Sequence, residues 1–207
     1  MAIFKSLKKA LEAPQEATVL KIKTKGATLP NELFTLTNLT QLYIQSSELK
    51  TVQEDIAALS KLETVNIQSM ELKEVPKELL LLPKLKSLNL SACSISSLPP
   101  IVGANSPVQI LNLSSNKLKS LPLNMESLSK LKELNLSNND IESFTDSIYF
   151  LEEIVRLNLN SNKLKSLNLK TDKLPNLKFL SIDHNPFPEE EKQRIQKDLG
   201  LWFEQFT

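Results

Sequence analysis

The chain has 207 residues and a formal net charge of +1, and only two of its 25 basic residues are arginines. No basic stripe is evident in the sequence, so we expect no nucleic-acid partner, and no stretch is long and apolar enough to span a bilayer. Cys93 is the single cysteine, which excludes an internal disulfide and suits a reducing, cytoplasmic location.

Residues 1–14 carry apolar side chains at helical spacing, lysines between them, and Pro14 as a terminator. The pattern predicts an amphipathic helix that caps the N-terminal end of the fold. A helix that lies on a membrane surface is the alternative, and the absence of an uninterrupted apolar core argues against a cleaved secretory signal. The apolar positions are Ile3, Phe4, Leu7 and Leu11, and the lysines are Lys5, Lys8 and Lys9.

An eleven-residue phrase, L-x-x-L-x-L-x-x-N-x-L, then recurs seven times at an interval of 23 residues. A fixed period of this length indicates a solenoid, in which each repeat contacts only its neighbours. An eighth, degenerate copy around Leu20 and Ile22 is one place out of phase, so we expect a local slip there. The seven copies begin at Leu39, Leu62, Leu85, Val108, Leu131, Ile154 and Leu177.

Each copy contains a short strand. Leu134 and Leu136 alternate with Glu133, Asn135 and Ser137, and this two-residue period predicts that the leucines face inward. Such a strand cannot bury its apolar side alone, but equivalent strands can pair in parallel at about 4.8 Å per rung. Leu-Pro or Val-Pro pairs, followed by apolar residues at intervals of three, predict an extended segment and a short 3-10 turn between strands.

The asparagine of the phrase has a predicted structural role. Asn116, Asn139, Asn162 and Asn185 can hydrogen-bond to backbone groups of their own turn and of the adjacent rung. Met70 occupies this position in the second copy and cannot make those bonds, so we expect a less regular turn there, bridged by water. Cys93 occupies it in the third copy, where a buried structural thiol is expected rather than a nucleophile.

The end of the chain predicts a second cap. Pro188 and the acidic residues Glu189, Glu190 and Glu191 are typical of a helix start. Apolar residues at helical spacing would then cover the last rung. These residues are Ile195, Leu199, Trp202 and Phe203.

This pattern resembles the leucine-rich repeat family over residues 17–187. The L-P-x-x-I-x-x-L linker and the repeat length are most similar to short, intracellular-style repeats of bacterial proteins, and N-P-F-x-x-E-E at residues 185–191 resembles their C-terminal ending. The resemblance implies an α/β solenoid, a right-handed horseshoe with about eight parallel strands on its concave face. We therefore expect one domain, residues 1–207, with caps at 1–14 and 188–207 and repeats at 15–187.

Catalytic residues are scarce in this sequence. Ser181, Asp183 and His184 superficially supply the groups of a catalytic triad, but neighbouring strand residues point to opposite sides and no cleft is predicted around them. No phosphate-binding glycine loop or metal-ligand spacing is present, so we expect no enzyme activity, no cofactor and no metal.

Outward strand positions stack into columns that form the predicted binding face. The face is mostly uncharged and rich in amides, with isolated apolar points; the asparagines can also be read as ordinary filling of this repeat. The candidate partner-binding residues are Tyr43, Asn66, Asn89, Ile110, Asn112, Glu133, Asn135, Arg156, Asn158 and Phe179.

Three functions remain open at this stage. The first is a monomeric, non-catalytic scaffold that binds a protein partner through the concave face. The second is recognition of a polar or glycan ligand by the amide-rich face, and the third is a membrane-peripheral adaptor held by the N-terminal helix.

Overall fold

A computed structural model describes residues 2–99, 105–122, 125–143 and 145–199. Its strands form one parallel sheet in which every strand pairs with the next along the chain, in the order β1 to β9. The strands are β1 Ala2–Phe4, β2 Ala17–Thr24, β3 Gln41–Ser46, β4 Thr64–Gln68, β5 Ser87–Asn89, β6 Ile110–Asn112, β7 Glu133–Asn135, β8 Arg156–Asn158 and β9 Phe179–Ser181. This is the predicted solenoid, with nine strands in the described residues instead of about eight.

The ninth strand comes from the N-terminal segment, where the prediction of a single capping helix over residues 1–14 was wrong. Ala2 to Phe4 pair in parallel with β2, so the backbone of this segment satisfies the polar groups of the sheet edge. The helix, α1, is limited to Leu7–Glu12, and Ala10 is fully buried. Leu7 and Leu11 pack against the core, which uses the apolar side of the helix.

The predicted slip in the first rung does not occur. β2 pairs with β3 without interruption, and Leu20 lies opposite Leu42, 22 positions later. The missing residue lies instead in the turn after β2, where Gly26 has a φ of 127°. Glycine adopts this backbone conformation without steric cost, so the shorter turn leaves the strand register intact.

Inward residues of every rung meet in one continuous core. In the rung of β7 all six aliphatic side chains are 0–1 % exposed, and burial stabilises each by about 1.5–3 kcal/mol. The six are Leu131, Leu134, Leu136, Ile141, Ile148 and Leu151.

The convex side consists of short helical turns, as the linker pattern predicted. Pro30 and Pro76 directly precede two of them with φ values of −60° and −64°, the angle that the proline ring imposes. Within the described ranges, five turns are 3-10 helices, at Asn31–Thr35, Glu54–Ala58, Glu126–Leu128, Asp146–Phe150 and Thr171–Lys173. The sixth, α2, is an α-helix at Lys77–Leu80.

The asparagine ladder is present in the last four repeats. Asn139 donates from Nδ2 to the carbonyl oxygens of Leu113, Leu136 and Ser137 at 2.9–3.3 Å. Its Oδ1 accepts a hydrogen bond from the Leu118 N–H at 3.0 Å. Asn116, Asn162 and Asn185 bond to the preceding rung in the same way.

The turn at Met70 departs from the ladder, as the sequence predicted. Met70 is 70 % exposed, and Ser69 takes the inner position, where its Oγ donates to the Leu49 carbonyl oxygen at 2.8 Å. From the third copy onward the residue before the ladder position has a positive φ, first at Ala92, whereas Ser69 does not. Ser69 therefore takes the structural place of the ladder asparagine, and the turn adopts a different backbone conformation from that of the later copies.

The C-terminal helix α3, Glu189–Leu199, is attached to the preceding repeat by two of its side chains, which bond to the backbone of Leu167. Glu191 Oε1 accepts from the Leu167 N–H at 2.7 Å, and Arg194 Nη2 donates to the Leu167 carbonyl oxygen at 2.8 Å. The two side chains bond to each other at 2.7 Å, and Ile195 is buried against the core. Trp202 and Phe203, the other predicted cap residues, lie outside the described residues.

Replacement of Asn139 by alanine should lower the free energy of unfolding by about 2–4 kcal/mol, because it leaves buried backbone groups of two rungs without partners. Urea unfolding monitored by circular dichroism measures this change. Asn135→Ala is the control, since Asn135 is half-buried and accepts one backbone hydrogen bond, from Ser137. Equal losses in the two variants would contradict the structural role of the ladder.

The α3 attachment should weaken in acid. The hydrogen bond from Arg194 lowers the pKa of Glu191 below its ordinary value of 4.5. Because the pKa of Glu191 is lower in the folded state than in the unfolded state, its ionised carboxylate stabilises the fold at pH values above the unfolded-state pKa. This stabilisation is lost as the pH falls through the folded-state pKa. The stability difference between wild type and Glu191→Gln should therefore narrow from about pH 7 to about pH 3 in unfolding titrations.

The control for this titration is Glu190→Gln, because Glu190 is exposed and its carboxylate forms no ion pair with the residues that the structure describes. Its stability difference from wild type should stay small at neutral pH. A Glu191→Gln difference that did not depend on pH would show that the carboxylate charge does not hold α3 in place.

Candidate ligand-binding surface

The concave face consists of the outward side chains of the nine strands. Parallel register places Asn89, Asn112, Asn135 and Asn158 side by side in one column. The same register places Ile110, Glu133, Arg156 and Phe179 in the adjacent column. These contacts join residues from separate repeats into one surface, as the period predicted.

The four asparagines of the central column have a local structural role. The Oδ1 atom of each accepts a hydrogen bond from the backbone N–H two residues later, at 2.9–3.0 Å. This bond closes the turn that follows each strand. The amide oxygen is therefore already engaged in one hydrogen bond within the protein, which leaves its second lone pair and the Nδ2 group for a ligand.

We call the group of Ile110, Glu133, Arg156 and Phe179 the C-terminal patch. Ile110 is 41 % exposed and Phe179 is 49 % exposed, which is unusual for large apolar side chains on a strand layer. The Arg156 guanidinium lies 4.2 Å from the centre of the Phe179 ring and stacks on it. A shallow depression of about 170 Å³ lies among Ile110, Glu133 and Arg156.

Tyr43, predicted as a third apolar point, lies in a different environment. Its hydroxyl donates to Gln41 Oε1 at 3.0 Å, and the Lys21 ammonium lies 4.6 Å from its ring centre. The ring is half-buried. Tyr43 is thus separated from the C-terminal patch by the rungs of β4 and β5.

The sequence reasoning missed a cluster of lysines at the N-terminal end of the concave face, which we call the basic trough: Lys5, Lys21, Lys23 and Lys25. All four are exposed. The alternation of Lys21 and Lys23 with Leu20 and Ile22 was a signal for their outward direction. Lys5 could not be placed because residues 2–4 were expected to be helical.

Two cavities lie along the basic trough. One, of about 600 Å³, is lined by Lys5, Lys21, Lys23 and Tyr43. The other, of about 710 Å³, is lined by Lys23, Lys25 and Met70. Both are also lined by Gln45 and Gln68, so the two cavities are neighbours.

The serine and histidine considered for catalysis lie at the end of β9 and in the turn that follows it. Ser181 ends β9, and His184 is exposed in the following turn with a φ of 56°. Burial raises the pKa of the Cys93 thiol. The hydrogen bond that its sulfur accepts from the Ser69 backbone N–H lowers this pKa, but by a smaller amount. The protonated, weakly nucleophilic form of the thiol is therefore favoured. Among the described residues, no three His, Cys, Asp or Glu side chains are placed to hold a metal ion.

Comparison with known proteins agrees with this geometry. The leucine rich repeat family model matches residues 83–141 and 106–164. A leucine-rich-repeat protein from Leptospira interrogans shares 27% identity over 90% of this chain, with a TM-score of 0.57. An internalin from Listeria monocytogenes shares 20% identity over 98%, and a chain of the Drosophila Toll–Spätzle complex shares 23% over 82%, each with a TM-score of 0.70.

Residues 83–164 match the leucine rich repeat model, and the rungs have the fold of those structures, which supports assignment of the repeats to that family. Proteins of this family are typically non-enzymatic binding modules. The chain spans 60% of the Leptospira protein, 58% of the internalin and 24% of the Toll complex chain. A search of curated proteins gave no significant match.

The helices in the described part of the chain are all too short or too polar to cross a membrane.

Outward and inward residues of one strand should respond differently to substitution. Ile110→Ser should change the free energy of unfolding by less than about 0.5 kcal/mol, because the side chain is exposed. Leu111→Ala should cost about 2–5 kcal/mol, because Leu111 is fully buried. Thermal and urea unfolding of both variants test this, and a large loss in Ile110→Ser would mean that the residue packs into the core.

Proposed function

We propose that this chain is a non-catalytic interaction module that binds a protein partner through its concave face. The observation that carries the proposal is the C-terminal patch, where two large apolar side chains are exposed beside a stacked arginine. Protein-binding hot spots combine aromatic, apolar and arginine side chains in this way. A chain of the same fold in the Toll–Spätzle complex also supports a role in protein recognition.

The anchors of this interface would be Ile110, Arg156 and Phe179, with Glu133 beside them. The Arg156 guanidinium is held over the Phe179 ring before any partner binds, so less side-chain freedom would be lost on association. No carboxylate among the described residues lies within 4 Å of this guanidinium. Its charge is therefore available to a carboxylate or a carbonyl of the partner.

The remaining candidate residues would have a smaller role in binding. The asparagine column presents half-buried amides that run from the basic trough along the side of the C-terminal patch: Asn66, Asn89, Asn112, Asn135 and Asn158. Four of them already use their oxygen in a turn. We expect them to contribute hydrogen bonds and shape complementarity rather than most of the binding energy.

The other two candidate functions receive less support. A glycan site usually needs an open aromatic platform, whereas Lys21 covers the Tyr43 ring and Arg156 covers the Phe179 ring. A membrane anchor needs an exposed apolar helix face, whereas Leu7 and Leu11 of α1 pack against the core.

The test uses a binding partner isolated from an extract of the source cells by chemical cross-linking and then purified. The combined substitution of Tyr43, Ile110, Arg156 and Phe179 by alanine should weaken its binding at least about tenfold, or about 1.4 kcal/mol. Isothermal titration calorimetry measures this change.

Leu81→Ala with Phe150→Ala is the matched control. These residues are 40 % and 43 % exposed and lie on the convex side, in the helical turns opposite the strands. Their substitution should leave the affinity unchanged. Loss of binding in the control alone would assign recognition to the convex face instead.

A further inference from the structure

The four lysines of the basic trough lie on neighbouring strands or directly beside them. Lys21 and Lys23 project from the same side of β2, opposite Tyr43 and Gln45 of β3. Residues two apart on a strand are separated by about 7 Å. Lys25 follows β2, and Lys5 follows β1 from the edge of the sheet. The trough is thus a row of positive charges with a defined spacing.

These charges are not neutralised within the protein. No carboxylate lines either cavity of the trough. None of the four ammonium groups lies within 4 Å of a carboxylate of the described residues. Elsewhere lysines pair across adjacent rungs, as Lys86 does with Glu63 at 3.1 Å and Lys163 with Asp140 at 2.6 Å. The trough therefore attracts negative charge from outside the molecule.

The remaining lining suits a polypeptide. Gln45 and Gln68 are exposed and offer hydrogen bonds to a backbone along both cavities. Met70 lies at one end with 70 % of its surface exposed, and its flexible thioether can pack against apolar side chains of varied shape. Charge, amides and one apolar contact are thus arranged along two neighbouring cavities.

We propose that the basic trough receives an extended acidic segment of the partner polypeptide, with carboxylates at alternate residues and an apolar side chain at Met70. An extended peptide presents every second side chain about 7 Å apart, which matches the separation of Lys21 and Lys23. This inference rests on the proposed function and names the chemistry of the partner. The acidic segment occupies the N-terminal end of the concave face, while the C-terminal patch contacts a more apolar part of the partner.

A nucleic acid fits the trough less well. Phosphate recognition favours the planar fork of arginine, but the positive side chains of the trough are all lysines. Bases need open aromatic faces for stacking, whereas the Tyr43 ring is half-buried under Lys21. Four lysines are also few beside the roughly six to ten phosphate contacts of a typical DNA-binding protein.

The experiment selects ligands for the full chain from a displayed library of random peptides of about 12 residues, a length suited to extended recognition. Enriched peptides should carry Asp or Glu at positions two apart and an apolar residue nearby. These peptides, synthesised with a fluorescent label, are the probes for anisotropy titrations. Enrichment of neutral or basic peptides, or no enrichment, would overturn the inference.

The variant pair Lys21→Glu with Lys23→Glu should weaken probe binding at least about tenfold, and raising salt from about 50 mM to about 300 mM should weaken binding to the wild type. Lys21→Arg with Lys23→Arg should retain binding, because charge rather than shape is recognised. Lys117→Glu with Lys119→Glu is the matched control: both lysines are exposed and lie outside the strands. It makes the same change in net charge and should bind within about twofold of wild type.

Two outcomes separate this inference from the proposed function. The first outcome is that probe binding is unchanged by the Lys21 and Lys23 charge reversal but is lost in Ile110→Ala with Phe179→Ala. This would overturn the assignment of an acidic segment to the basic trough and leave the proposed binding through the concave face intact. The second outcome is that both sets of substitutions leave the binding of the probes and of the purified partner unchanged. This would overturn both the acidic segment and the proposed binding through the concave face. A single-stranded RNA or DNA oligonucleotide of about 12 nucleotides that binds more tightly than any probe would replace the peptide by a nucleic acid.

Discussion

The fold depends on parallel pairing between rungs that cannot be stable alone. A single repeat exposes one apolar side of its strand, and only the next repeat covers it. Backbone hydrogen bonds between neighbouring strands set the register, and the asparagine ladder adds side-chain bonds that join each turn to the rung before it. Stability and shape therefore both follow from contacts between nearest neighbours.

The first and last described repeats are each bonded to a segment that is not itself a repeat. At the N-terminus the chain supplies a short strand that pairs with β2 and then a helix of six residues whose apolar side packs on the core. At the C-terminus Glu191 and Arg194 bond to the backbone of Leu167. The N-terminal strand and the C-terminal helix each provide hydrogen-bond partners for backbone polar groups of the adjoining repeat. Neither segment covers the concave face.

Because inward residues carry the stability, outward residues can vary with little cost to folding. The outward residues of the concave face are unevenly distributed. Lysines gather at one end, and Ile110, Arg156 and Phe179 lie toward the other end, beside the column of asparagines. The asparagine amides are partly committed to turns, so the lysines and the C-terminal patch differ most from ordinary repeat filling. A partner that contacts both ends would have to be acidic in one part and apolar in another.

The sequence by itself determined the repeat length, the inward leucines, the 3-10 turns and the outward columns, because a strict period forces equivalent residues into equivalent environments. It did not determine the strand at Ala2–Phe4, whose apolar spacing also fits a helix until an open sheet edge is available for pairing. Nor could it show that Ser69 replaces Met70 in the ladder, or that Lys5 lies beside Lys21 and Lys23. Only the tertiary structure decided these points, since each depends on which backbone groups and charges neighbouring rungs leave unpaired.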